Sequence, residues 1–327
     1  MPDSPDVPVA RRASVTDAMT TSLAPLCAVV IWAGNTIVTK AASVAIQPAS
    51  IVFYRWLLAF ALLSLFNGKG IWRNRHVVAQ HWSKLMVLGV LGMAVYQGLA
   101  YQAALSTSAI NMGVLVSLAP LMSALLSSAI AREAVPVRTL VGALLSLTGL
   151  VWLTSQGHPA SLFQQSLQPG DGLMLIAIFA NSLYGLLLKR WAVPLSTWQQ
   201  LHVQVGFGVL VTLPIWLASP ISPITVNNAP LILYAGVAAS IGAPFFWMKG
   251  VHSLGAPRAS LYLNLLPVLV AGVACVVLGE QLHSYHAVGG ALALMGVAVG
   301  LQKKIANGRP RGTALTCSRS LPMDPRH

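Results

Sequence analysis

Charge is what this chain has least of. Of its 327 residues 8% are charged and only seven are Asp or Glu, too few to coat a soluble globule of this length. With 56% hydrophobic residues and a mean hydropathy of +0.71, it reads as an integral membrane protein. Cysteine is nearly missing as well. Cys27, Cys275 and Cys317 form no C-x-x-C and lie in no His or Asp cluster, so neither a disulfide framework nor a zinc site is expected, and no metal at all. The phosphate-cradling G-x-x-x-x-G-K-[ST] is absent, and so are H-E-x-x-H, G-x-S-x-G and an intramembrane aspartate pair. The chain is therefore not itself an ATPase. A membrane-embedded enzyme stays the weaker rival class, without a reactive constellation or an expected cofactor. Strict two-residue alternation is also lacking, which excludes the strands of a membrane β-barrel.

Long apolar runs are what the chain does have. About 20 apolar residues cross a hydrocarbon core of about 30 Å, and on that ruler ten spans are expected, near 22–42, 48–66, 84–104, 107–131, 137–155, 171–189, 197–218, 229–250, 257–278 and 284–302. Residues 1–21, with three Asp, several Pro and the pair Arg11 and Arg12, read as a disordered polar leader, and residues 303–327 as a basic tail. Ser43-Val44-Ala45 resembles a signal-peptidase site. The preceding run, however, exceeds the usual signal core of about 7 to 15 residues and contains Trp32, Asn35 and Lys40. The first helix is expected to stay in the mature protein.

Basic residues orient the spans. Alternate loops and both ends hold Arg11 and Arg12; Lys69, Arg73, Arg75 and Lys84; Arg132 and Arg138; Lys189 and Arg190; Lys249 and Arg258; and Lys303, Lys304, Arg309, Arg311, Arg319 and Arg326. The other two of the 20, Lys40 and Arg55, fall within or at the end of the first two spans, and the opposite loops have none. Cytoplasmic loops carry such an excess, so both termini are expected to be cytoplasmic. The net charge of +13 is thus an address on the lipid bilayer, and no nucleic-acid partner is expected.

One stretch occurs twice. Ala109, Pro120, Glu133, Gly142 and Gly149 return, each 147 positions later, as Ala256, Pro267, Glu280, Gly289 and Gly296. Each copy would contribute five helices, 22–155 and 171–302. An odd number makes the second copy enter the membrane from the opposite side. The expected fold class is an all-α membrane protein of ten transmembrane helices in two inverted-topology five-helix repeats. Inverted repeats are a usual construction of secondary transporters, with the site near the midplane between the halves.

The doubled block, together with Trp32-Ala33-Gly34-Asn35 and Lys40 in the first span and Tyr54-Arg55 in the second, resembles the EamA-type transporters of the drug/metabolite transporter superfamily, over about residues 22–302. That resemblance implies ten helices, a central cavity, and export of amino acids or other small metabolites across a bacterial inner membrane as a multi-pass protein. The expected partners are a small-molecule substrate and lipid, with a homodimer left open. A multidrug or other small-molecule permease of the same superfamily is the alternative.

Candidate cavity residues follow from the cost of polarity in a membrane. A basic side chain at a helix centre costs about 2.5 to 3.5 kcal/mol on insertion scales. Arg55 lies about 10 Å into its span at 1.5 Å per residue. It is open to two roles: a cavity or gating cation, or a structural arginine bonding helix carbonyls or reaching the outer interface. Lys40, at the outer end of its span, is expected to snorkel. The neutral polar candidates are Trp32 and Asn35; Tyr96, Gln97 and Tyr101; Asn181 and Tyr184; and Tyr262 and Asn264. Bonds to neighbouring helices are the plainer role for each, averaging about 0.6 kcal/mol. Pro120 and Pro267 are candidate kinks in corresponding spans, with gating and simple packing both open. Gln204, at an offset of 149, is the repeat counterpart of Arg55 if one loop is two residues shorter. Glu133 and Glu280 are assigned to loop structure and helix capping. His202 is a lone intramembrane histidine. All seven carboxylates fall in termini, loops or helix ends, which disfavours proton antiport through a buried Asp or Glu.

Overall fold

Proline and small polar residues begin many of the helices. The computed structural model of the chain describes residues 15–132, 137–159, 168–254 and 262–301, and among them every regular element is helical. Helix α1 is Val15–Ala45, and α2, Pro48–Arg73, starts on a proline at the position where a missing N–H costs nothing. A short α3, Arg75–Gln80, leads into α4, Trp82–Gly89, which continues through a π-helical turn, Val90–Val95, into α5, Tyr96–Ala103. Helix α6, Ala109–Val116, opens on Ser108, whose side chain accepts the Asn111 N–H. Then come α7, Ala119–Ala131, α8, Val137–Thr154, and α9, Pro169–Trp191. Helix α10, Thr197–Leu217, opens on a reciprocal cap between Ser196 and Gln199. Helix α11, Ala229–Leu233, passes through a second π segment, Tyr234–Gly242, into α12, Ala243–Leu254. A 3-10 turn, Tyr262–Leu265, precedes α13, Leu266–Val277, and α14 is Ser284–Leu301.

Six helices among the described residues are long and apolar enough to cross a membrane: Leu23–Ala45, Pro48–Arg73, Trp82–Ala103, Pro169–Trp191, Thr197–Leu217 and Ala229–Gly250. A seventh crossing is available if the pair Ala109–Val116 and Leu121–Ile130, bent by 41°, is one span; three shorter apolar helices are Leu140–Leu153, Leu266–Val277 and Ser284–Val299. The chain is a multi-pass membrane protein. Two boundaries differ from expectation. Helix α1 begins at Val15, inside the segment expected to be a leader. Helix α2 runs on to Arg73, past the apolar part of its span.

The expected run 107–131 is not one straight helix. It breaks at Ser117 and Leu118, and Pro120 lies in the first turn of the new helix α7. The second copy repeats this: Leu265 precedes α13, and Pro267 lies in its first turn. Leu118 (φ −76°, ψ −14°) and Leu265 (φ −78°, ψ −18°) hold nearly the same backbone. Neither proline therefore interrupts a helix from within. Each begins one, where its lost donor had no partner anyway. The two π segments also correspond, since Val95 and Gly242 end them 147 positions apart. Both runs are rich in Gly, Ala and Val, so bulky side chains do not oppose the wider turn.

The halves meet most extensively where α8 crosses α14. A Cβ built on Gly149 would stand 2.6 Å from the Gly289 carbonyl, and one on Gly296 2.5 Å from that of Gly142. Between them the Ser146 hydroxyl donates to the Ala293 carbonyl at 3.0 Å, two residues 147 apart. Small residues allow such backbone contact in membranes, where packing rather than water exclusion drives association.

Candidate functional site

Arg55 is carried on the inward face of α2 and is 1% exposed. Its Nη1 donates to Gln97 Oε1 at 2.9 Å and to the Tyr101 hydroxyl at 3.2 Å, both on α5. Its Nη2 donates to Ser240 Oγ at 2.8 Å, in the π segment of the other half. Trp56 and Tyr101 present their rings to the guanidinium, with centroids 4.8 and 5.8 Å from Cζ. All of these partners are neutral, and Nε is buried without one. Of the two roles open to Arg55, reaching the outer interface is ruled out by its burial, and it bonds side chains rather than helix carbonyls.

Both π segments supply groups to this centre. In the first, the Met93 carbonyl accepts the Trp56 indole N–H at 2.8 Å. In the second, the Ala235 carbonyl accepts the Ser240 hydroxyl at 2.7 Å, which leaves that oxygen free to receive Arg55. Polar handles are thus made by helices that depart from α geometry at corresponding places, the behaviour associated with functional sites.

The other sequence candidates fall into separate groups. Tyr96, beside Gln97 on α5, lies within electrostatic reach of Arg55. Tyr184 donates to Gln204 Oε1 at 2.9 Å, so that pair closes on itself in the second half. Trp32 meets Trp247 with ring centroids 5.5 Å apart, and Trp32, Trp247 and Tyr262 all pack on the cluster around Ala33, Ile110 and Leu266. Asn35 keeps a buried side-chain oxygen without a partner. Asn181 is half-buried on α9, next to Ser182, whose hydroxyl reaches the Ala119 carbonyl at 3.2 Å. The side chain of Asn264 and the whole of Glu133 lie outside the described residues.

Several other expectations acquire a definite partner. Lys40 does not simply snorkel: its Nζ donates to the Ala104 carbonyl at 2.8 Å, at the open C-terminal end of α5, where the helix dipole favours a cation. Glu280 caps a helix, but one in the other half, accepting the Ala109 and Ile110 N–H groups at 2.8 and 3.1 Å. His202 Nε2 lies 2.9 Å from Ser64 Oγ and its ring meets Phe60 at 5.1 Å, while its Nδ1 is buried without a partner. Asp171, assigned to a helix end, is indeed in the first turn of α9, yet it is 3% exposed. Ser240, Trp56 and Trp247 were not singled out.

Two half-chains, each of α-helices with one π turn, meeting through small residues and sharing a buried polar centre, define a duplicated membrane carrier. The EamA-like transporter family model matches the chain twice, over residues 19–155 and 168–301, and the chain belongs to that family, within the drug/metabolite transporter superfamily. It is similar to the "Uncharacterized transporter YyaM" of Bacillus subtilis (strain 168), 25% identical over 77% of this chain and 83% of the relative. An "Uncharacterized transporter" of Archaeoglobus fulgidus is 27% identical over 82% and 92% of the two chains. "Protein PecM" of Dickeya dadantii (strain 3937) is 29% identical over 74% and 78%. A protein of known crystal structure shares the fold with a TM-score of 0.57 at 20% identity, over 86% of this chain and 96% of that one.

Proposed function

We propose that this transporter exports small carboxylate-bearing metabolites, amino acids foremost, by alternating access through a site between two inverted five-helix halves, with both termini in the cytoplasm of a bacterial inner membrane. The carrying observation is the state of Arg55. A guanidinium has five N–H donors; three are engaged, and those left over lie on Nε and Nη2. Nε and Nη2 share one edge of the guanidinium, the fork that grips a carboxylate with two parallel bonds. A buried cation among neutral partners is costly unless an anion joins it. A cargo carboxylate would meet that need when the halves part enough to admit it, and Trp56 and Tyr101 would bound the site with aromatic surface.

The test is efflux of labelled amino acids from loaded membrane vesicles, the panel chosen by screening overexpressing cells for resistance to toxic amino acids, analogues and drugs. Arg55→Gln should abolish most transport of the carboxylate cargo while leaving the folded amount within about twofold, because a neutral amide is cheaper to bury. Arg55→Lys keeps the charge, loses the fork and should be weaker than wild type. Wild-type flux in the Gln variant would make Arg55 purely structural. Resistance confined to cationic drugs would favour the multidrug alternative.

A further inference from the structure

The corner between α5 and α6, residues 103–111, is gripped by three ionisable side chains from three different helices or loops. Lys40 holds the Ala104 carbonyl, and Glu280 holds the Ala109 and Ile110 N–H groups. Asp171 is the third: its Oδ1 accepts the Thr107 hydroxyl at 2.5 Å. The start of α9 is pressed into the same corner, since a Cβ on Gly170 would stand 2.7 Å from Ser106 Oγ and 3.0 Å from the Thr107 nitrogen. The three acid and base groups differ in one respect. Lys40 and Glu280 are taken up by backbone dipoles, whereas Asp171 meets only neutral side chains, Thr107 and the amide of Asn111.

Two oxygens in this small volume are buried and unpartnered, Asp171 Oδ2 and Asn111 Oδ1. An ionised carboxylate can only accept hydrogen bonds, so its second oxygen stays unsatisfied here. The first turn of α9 favours an anion, but by less than it costs to bury a carboxylate oxygen that lacks a donor. A proton on Oδ2 removes the difficulty, because it neutralises the buried carboxyl and leaves no charged oxygen without a donor. We propose that Asp171 is a proton-binding site. It holds a proton on Oδ2 while the 103–111 corner is closed and gives it up to water when the corner opens, so that opening and proton release are linked.

The step forms and breaks one O–H bond, with water as the only other party. Of the helices packed on α9, α4 contributes Lys84, at the far end of its span, and α5 contributes Tyr96 and Tyr101, which belong to the Arg55 centre; α6, α7 and the first π segment contribute no titratable side chain. Lys40 and Glu280 are the remaining charges on the corner. The proposal runs against the sequence expectation, which disfavoured proton antiport through a buried Asp or Glu. Its link to cargo movement rests on the transport reading, but the site itself does not.

Infrared difference spectra of the purified full-length protein in lipid nanodiscs, wild type against Asp171→Asn at neutral pH, need no cargo. The expected result is loss of one neutral carboxylic-acid carbonyl band with the ionised-carboxylate bands unchanged. Thr107→Val, which keeps the carboxyl, should retain that band at a shifted frequency, and it guards against misfolding of the Asn variant. Wild-type melting temperature should fall as the pH is raised through the titration of the band, and the Asn variant should lose that fall. Loss of an ionised-carboxylate band would overturn the proposal. So would stabilisation of the wild type, but not the Asn variant, by added sodium at constant pH, which would make this a sodium site.

Discussion

Position 55 and position 204 are the same place in the two copies, both 1% exposed, and their backbones are held alike while their side chains are not. A Cβ on Gly236 would meet the Arg55 carbonyl at 3.1 Å, and one on its counterpart Gly89 would meet the Gln204 carbonyl at 2.6 Å. Around Arg55 stand Gln97, Tyr101 and Ser240. At the offset of 147 the corresponding residues are Pro244, Met248 and Met93, none of which carries a strong hydrogen-bonding side chain. Gln204 has Tyr184 instead. Duplication has preserved the crossing of the helices, which depends on glycine and backbone, and has let the polar content diverge. The charge at the centre is carried by one half alone.

Moving that charge to the other half should have the largest effect. Gln204→Arg would bury a guanidinium where no acceptor matches Gln97 or Ser240, at about 2.5 to 3.5 kcal/mol on insertion scales. The folded protein recovered from membranes, measured by fluorescence-detected size exclusion, should fall by about tenfold or more. Wild-type recovery would mean that the second half carries its own arginine-compatible environment. Ser240→Ala comes next. It removes the one bond that joins Arg55 to the other half, and a bond to a charged group contributes about 1.5 to 3 kcal/mol. The thermal midpoint in detergent should drop, and Arg55→Gln combined with Ser240→Ala should be no worse than Ser240→Ala alone; strictly additive losses would show that the two residues are not coupled. The smallest effect is expected for Tyr184→Phe, which breaks the bond to Gln204 at about 0.6 kcal/mol, the average for such bonds between membrane helices. A loss as large as that for Ser240→Ala would erase the distinction between the halves.

What could be read in the residues was whatever depends on local pattern. The apolar runs located the helices, and the constant offset of 147 identified the duplication because glycine and proline are held in place by backbone demands. Gln97 and Tyr101 were visible as parts of one polar stripe, since they lie four apart on one helix face. Ser240 was not. Its approach to Arg55 depends on a π turn and on the docking of two half-chains, 185 residues apart, and neither leaves a periodic mark. The roles of Glu280 and Asp171 were hidden for the same reason. Each sits at a helix end by sequence, but the donor it accepts from lies in the other copy. Pro120 and Pro267 are 147 positions apart, yet whether a proline interrupts a helix or begins one depends on the turn before it, here Ser117-Leu118 and the 3-10 turn Tyr262–Leu265.

The contact between Ser146 and Ala293 has a property that no other polar contact described above shares. Suppose the two copies trade conformations, as halves of an alternating-access carrier must. Each contact is then rewritten by replacing a residue with its counterpart in the other copy. Arg55 with Ser240 becomes Gln204 with Met93, and Glu280 with Ala109 and Ile110 becomes Glu133 with Ala256 and Pro257, where proline has no N–H to give. These contacts belong to one state and must be lost in the other. Ser146 with Ala293 maps onto the same two residues, and Gly149 with Gly289 maps onto Gly296 with Gly142, a contact already present. The glycine crossing of α8 and α14 is therefore invariant under the exchange. It is the stationary point about which everything else in the molecule would have to be rearranged.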